Sequence, residues 1–172
     1  MLVDETGFSF RAKVAATWAP IGQTPILRRL SKRRELSTVI GLTLSGKIYK
    51  RHFEHPIGAE DILVMLHHLQ RCIARPMIIV WHRLTAHRAI AVKESVAAHP
   101  AITLEWLPPY APDLNPEEGC HGNVKQHLRH AIPESLSAIR AQVDRGFARL
   151  RRRPDLLRGF FRYAGLTVNQ LW

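Results

Sequence analysis

The chain has 172 residues, 46% of them hydrophobic, which is enough for one ordinary domain with a real apolar core. No apolar run nears the roughly 20 residues of a membrane span. Met1 to Phe10 carries Asp4 and Glu5 where a secretion leader would be basic and then apolar, and two cysteines, Cys72 and Cys120, make neither a disulfide framework nor a thiolate zinc site. A cytoplasmic protein with reduced thiols is expected.

Charge points to a partner. Lys plus Arg number 25 and Asp plus Glu 14, leaving +11, and arginine dominates the excess. Arginine grips phosphate bidentately, so DNA or RNA is the natural polyanion; the plainer reading is a basic protein with no particular ligand.

In chain order, Leu2 to Phe10 reads as a short strand and Lys13 to Ala19 as a second β-rich piece, before a loop punctuated by Pro20, Gly22 and Pro25. Leu36 to Leu44 is a β-branched run, Ser45-Gly46 a turn, and Lys47 to Phe53 an alternating strand, so the pair reads as a hairpin. Ala59 to Ile73 is helical: Glu60 and Asp61 sit in the first turn, where the macrodipole favours them, and Ile62, Leu66, Leu69 and Ile73 share a face. Met77 to Trp81 is a continuous apolar run suited to a buried strand. A helix over His87 to His99, a strand over Ile102 to Leu107 stopped by Pro108-Pro109, and a helix starting near Glu117 follow. Ser135 to Arg152 and a piece from Pro154 to about Gly165 are the last helices. Antiparallel strands followed by βαβ units predict an α/β fold with a mixed sheet and helices on both faces, the order of a ribonuclease H-like domain.

Several motifs compete for the chemistry. Gly41 to Lys47 fits the spacing of a phosphate-binding loop, but Ile48 stands where a magnesium-binding hydroxyl belongs, and a hairpin replaces the strand-to-helix context. His121, His127 and His130 fall on one helix, and the favoured reading is an exposed basic face turned to DNA, with a zinc site as the alternative. His52, His55, His67 and His68 read as surface residues. Asp4 and Glu5 on the first strand, and Asp113, Glu117 and Glu118 at the start of a late helix, could converge as hard oxygen ligands for a pair of magnesium ions about 3.5–4 Å apart; by themselves they read equally as a solvated strand acid and a helix start that collects acids.

Three strings decide between these readings: V-D-E-T-G at Val3 to Gly7, V-W-H-R-L-T-A-H at Val80 to His87, and L-P-P-Y-A-P-D-L-N-P-E-E at Leu107 to Glu118. Together they resemble the catalytic domain of the insertion-sequence-630 and mariner superfamily of transposases, over essentially the whole span from Asp4 to Lys125. The resemblance implies a ribonuclease H-like DDE endonuclease domain over residues 1–133, with a basic helical extension over 134–172 and no helix-turn-helix reader of DNA ahead of it. It implies metal-dependent cleavage and transfer of DNA strands, with two Mg2+ or Mn2+ ions. Asp4 matches the first catalytic aspartate and Glu118 the last acid, with Glu117 a competitor for the inward position. The middle position falls on His82, 36 residues before Glu118, where the family carries aspartate; Arg83 and His121 also replace the residues usual there. Catalytic and metal-binding roles are therefore expected for Asp4, His82 and Glu118, with His82 a defect: one neutral nitrogen stands in for two anionic oxygens. Asn115 and Pro116 are expected to shape the turn that presents Glu118, and Tyr110 either to face DNA or to pack on the sheet. Lys125, Arg149, Arg151, Arg152 and Arg153 are expected to contact the DNA backbone, opposed on that last long helix only by Asp144. The implied partners are transposon-end and target DNA, a second copy, and a separately encoded reader chain; the alternatives are an inactive DNA-binding remnant or regulatory subunit, or a non-transposase nuclease of the same fold.

Overall fold

Each strand forms where β-branched and apolar residues alternate or run unbroken, and the helices over Ala59–Cys72, Leu136–Arg151 and Pro154–Tyr163 form where an apolar face repeats with helical period. The computed structural model describes residues 1–9, 18–23, 26, 35–129 and 133–167, so most of the Lys13 to Ala19 piece lies outside the described residues. Five strands form one sheet: β1 (Leu2–Ser9), β2 (Glu35–Leu42), β3 (Ile48–Phe53), β4 (Met77–Trp81) and β5 (Ile102–Trp106), in the order β3-β2-β1-β4-β5. β1, β2 and β3 are antiparallel, and β4 and β5 are added parallel to β1. Gly46 turns the β2–β3 hairpin at φ 72°, a backbone conformation open to glycine at little cost.

Helices cover both faces. α1 (Ala59–Cys72) and α2 (Ile90–Ala97) pack on one, burying Ile62, Met65, Leu66 and Leu69 with Val3, Val39, Ile79 and Trp81. On the other lie α3 (Pro116–His127), α4 (Leu136–Arg151) and α5 (Pro154–Tyr163), whose Val124, Val143, Phe147 and Phe161 close over Leu2, Phe8, Ile40 and Leu42. α4 and α5 thus share one core with the sheet. Val124 seats directly against Gly146, where an added Cβ would come within 2.8 Å of it, so the glycine lets α3 and α4 approach.

The expected helix over His87 to His99 is two pieces. A 3-10 turn, Ala86–Arg88, is separated from α2 by Ala89 in an extended conformation (φ −58°, ψ 145°). The turn is pinned by a side chain: the fully buried His87 donates from Nδ1 to the His82 carbonyl oxygen at 2.7 Å.

The expectation that His52 is a surface residue is corrected. Its side chain is 5% exposed and bridges elements, with Nδ1 at hydrogen-bond distance from Thr38 Oγ1, 2.8 Å, and Nε2 facing Asp144 of α4 at 3.1 Å. Lys50 pairs with the same carboxylate, so β3 is latched to α4 by charge.

Candidate functional site

Side chains on a strand alternate between sheet faces, so the neighbours Asp4 and Glu5 point to opposite sides. Asp4 faces α3, while Glu5 faces the 3-10 turn. The β1–β4 ladder ends at the pair Val3 and Trp81, which places His82 beside Asp4 just past the strand end. β4 and β5 stop at this edge, and the loop after β5, from Leu107 to Pro112, walls a crevice at the carboxyl ends of the parallel strands, the usual place for a site in such sheets.

The crevice is a cleft of about 540 Å³ whose walls include Asp4, Glu5, His82, Arg83, Tyr110 and Glu118. The structure therefore brings Asp4, His82 and Glu118 together. His82 straddles the sheet edge, with Nδ1 at 3.4 Å from Asp4 Oδ1 and Nε2 at 3.7 Å from Glu5 Oε2. Glu118 lies on the first turn of α3 with its side chain 48% exposed to the cleft.

Asn115 explains how α3 is set. It caps the helix by accepting from the Glu117 backbone N–H at 3.2 Å, and its amide donates to Asp4 Oδ2 at 3.0 Å. One residue thus starts the helix that carries Glu118 and orients the first-strand aspartate. Tyr110 does not pack on the sheet: it is fully exposed, at φ 56°, an uncommon backbone conformation for a side-chain-bearing residue.

His121 overturns the reading of an exposed basic face. It is buried, one turn after the two glutamates, with Nε2 2.6 Å from Glu118 Oε2 and 3.8 Å from Asp4 Oδ2. Its spacing of i+3 and i+4 from Glu118 and Glu117 was the available signal. His127 remains exposed on that helix beside Arg149, and His130 lies outside the described residues. His87 is a functional neighbour that periodicity did not single out. It stacks on Trp81 with ring centroids 4.2 Å apart and reaches Glu5 Oε1 at 2.7 Å.

Electrostatics here are unbalanced. Glu117 is fully buried behind Asp4, and neither of its carboxyl oxygens has a hydrogen-bond partner. Burial, then the charges of Asp4 and Glu118, push its carboxyl well above the usual range. Asp4 is pushed up to about 7 by burial and by the charges of Glu5 and Glu118. Burial holds the His82 and His121 imidazoles below their ordinary value, against the pull of the nearby glutamates. Crowded carboxylates beside neutral imidazoles form a donor set that a cation would relieve.

That set fits divalent metal only in part. Asp4 and Glu118 offer hard oxygens to the cleft, and Asp4, Glu117 and His121 each bring a donor atom within 4.8 Å of the other two, but the middle position offers nitrogen, which suits zinc, iron or nickel better than magnesium. Two magnesium ions in an all-oxygen cage do not fit these residues.

The basic residues are partly engaged within the chain. Lys125 Nζ lies 5.9 Å from the Phe8 ring centre. Arg149 donates to Asn123 Oδ1, Arg151 donates to the Ile48 carbonyl at 2.6 Å, and Arg153 pairs with Asp155 at 2.7 Å. Arg152 is exposed at the end of α4. Asp144, expected to oppose the α4 arginines, is occupied by Lys50 and His52.

A mixed sheet in this strand order with helices on both faces defines a fold class, the ribonuclease H-like domains. The DDE superfamily endonuclease model matches residues 1–140, and the chain belongs to that family. Its fold is that of the Mos1 mariner transposase. The Mos1 paired-end complex with Mn superposes with a TM-score of 0.72 at 18% identity, covering 95% of this chain and 53% of that one. The Mos1 catalytic domain with raltegravir and Mn gives 0.59 at 17% identity, covering 96% and 84%. The intasome of simian T-cell lymphotropic virus, bound to a PP2A regulatory subunit, gives 0.53 at 14% identity over 83% and 45%. The chain spans little more than half the length of the Mos1 chains in their DNA complexes. No curated protein matches it.

Proposed function

We propose that this chain is the catalytic domain of a mariner-type transposase, acting on DNA phosphodiesters at transposon ends, and that His82 impairs its magnesium-dependent chemistry. The observation that carries the reading is the convergence of Asp4, His82 and Glu118 on one cleft, with a histidine at the middle position. In this reading residues 1–133 hold the chemistry and 134–172 form a basic extension that meets the DNA backbone.

A bound divalent cation would supply Lewis-acid polarisation of the scissile phosphate and would lower the pKa of an attacking water or hydroxyl. Asp4 and Glu118 would hold that cation, and Asn115 keeps the Asp4 carboxylate in place through its amide. His82 brings no anionic oxygen, and Arg83 beside it adds a fixed positive charge to the cleft wall. Loss of one preorganised charge-stabilising group costs roughly 10²–10³ in rate.

The same residue supports a second reading: an inactive chain that binds DNA without cutting it. Cleavage of transposon-end DNA in Mg2+ separates the two. The proposal expects slow cutting by the native chain and at least about tenfold faster cutting by His82→Asp. Native protein cutting as fast as His82→Asp would refute the impairment. Neither protein cutting, with both folded and DNA bound, would favour the inactive reading.

A further inference from the structure

On the far side of the sheet edge from Asp4, a second donor set stands ready. We propose that Glu5, His82 and His87 form a binding site for a single borderline divalent cation of the zinc class, separate from the Asp4–Glu118 pair. One donor atom from each of the three lies within 4.8 Å of the other two.

The arrangement has the parts a nitrogen-bearing metal site needs. His87 donates its Nδ1 proton to the His82 carbonyl at 2.7 Å, which fixes the ring and the tautomer, the outer-shell bond typical of ligating histidines. Its Nε2 lone pair then faces Glu5 Oε1 at 2.7 Å. Two acceptors that close need a cation between them, either a proton or a metal. The other Glu5 oxygen is buried without a hydrogen-bond partner, in a side chain only 8% exposed, and lies 3.7 Å from His82 Nε2. Zinc bonds of about 2.0–2.2 Å to nitrogen and oxygen put neighbouring ligands roughly 3–3.5 Å apart, close to the spacings here.

The chemistry selects the ion. Two imidazoles and one carboxylate suit zinc, iron or nickel, whereas magnesium wants oxygen and a near-ideal octahedron. The His82 side chain is 39% exposed to the cleft, so the remaining coordination positions open toward solvent or a ligand. His87 is held flat by its stack on Trp81, so the ligand that is hardest to reach is also the most fixed. The residue that spoils the all-oxygen site is the one that completes this one. The site does not require that the chain cut DNA.

The test is direct metal binding by the chelator-stripped chain, without DNA. Calorimetric titration with Zn2+ in excess Mg2+ is expected to show one equivalent bound, and Co2+ to give the visible bands of a nitrogen-containing site of low coordination number. His82→Ala and Glu5→Gln are each expected to weaken Zn2+ by at least about tenfold with unchanged far-ultraviolet circular dichroism. Glu118→Gln is expected to leave Zn2+ affinity within about threefold, since it removes no ligand. His82→Ala removes a half-exposed ring and keeps the test sound should Glu5→Gln fail to fold. Absence of stoichiometric zinc would overturn the proposal and leave a proton between His87 and Glu5. Zinc unaffected by His82→Ala, or abolished by Glu118→Gln alone, would overturn it by placing the ion on the carboxylates of α3.

Discussion

Asn115 carries two tasks through two ends of one amide: Oδ1 caps α3 and Nδ2 holds Asp4. Asn115→Ala loses both and leaves Asp4 short of a donor, so it is expected to cost on the order of 1–2 kcal/mol in urea unfolding. Asn115→Asp keeps the cap acceptor, but sets a carboxylate against Asp4. It is expected to unfold more easily than the native chain at pH 8 and to recover much of the difference at pH 5. Equal stability of Asn115→Asp and the native chain at pH 8 would show that the Asp4 contact contributes nothing. At this scale the sequence was partly legible. Asp4, His82 and Glu118 meet at one cleft, as the strings around them implied, and Asn115 was tied to the turn before Glu118. The bond from Asn115 to Asp4, 111 residues away, and the inward turn of His87 and His121 were not legible. They depend on which side of a strand or helix meets a distant partner, and no local pattern records that.

At the scale of elements, charge latches β3 to α4. Hydrogen bonds and charge from Lys50 and His52 outweigh partial burial and hold the Asp144 carboxyl below its ordinary range. Burial, aided by the Lys50 charge and opposed by Asp144, holds the His52 imidazole low. The signs agree. A carboxyl with a depressed folded pKa contributes stability above its unfolded value of about 4 and loses it as pH falls through the folded one. A histidine with a depressed folded pKa gives up stability as pH drops below about 6.5, because the unfolded chain takes the proton more readily. The margin in melting temperature of the native chain over His52→Gln is therefore expected to shrink between pH 7 and pH 5; a constant margin would refute a role for His52. The α3–α4 contact gives a second expectation. An alanine at position 146 gains about 1 kcal/mol in helix propensity but meets both Val124 methyls, at 2.8 and 3.2 Å. Overpacking of roughly 1–3 kcal/mol wins, so Gly146→Ala is expected to be destabilised in urea unfolding and the Gly146→Ala/Val124→Ala pair to recover. Elements were the most legible level, because proline, glycine and apolar period mark their ends. The break at Ala89 escaped because no proline or glycine signals it; the cause is the distant pull on His87.

The whole molecule sets a carboxylate-rich crevice at one sheet edge beneath a net charge of +11. Under the proposed function, the exposed Arg145 and Arg152 of the α4 region each neutralise a DNA phosphate without reading sequence. Every phosphate left without its arginine lowers the salt slope by about 0.9, so Arg145→Glu/Arg152→Glu is expected to flatten the plot of log affinity against log salt by about two. An unchanged slope would move the DNA path elsewhere. The strands-then-βαβ order made the mixed sheet legible from the chain, but not the way two adjacent carboxylates split across its faces, with His82 bridging the edge between them.

Under the proposed function, Asp4 and Glu118 share one hard-cation position and His82 removes the second. Anomalous diffraction from crystals grown with Mn2+ measures this directly. One manganese touching both Asp4 and Glu118 is expected in the native protein, and two ions about 3.5–4 Å apart in His82→Asp. Two manganese ions bridged by Asp4 in the native protein, or none within bonding distance of Asp4 in either, would contradict the account.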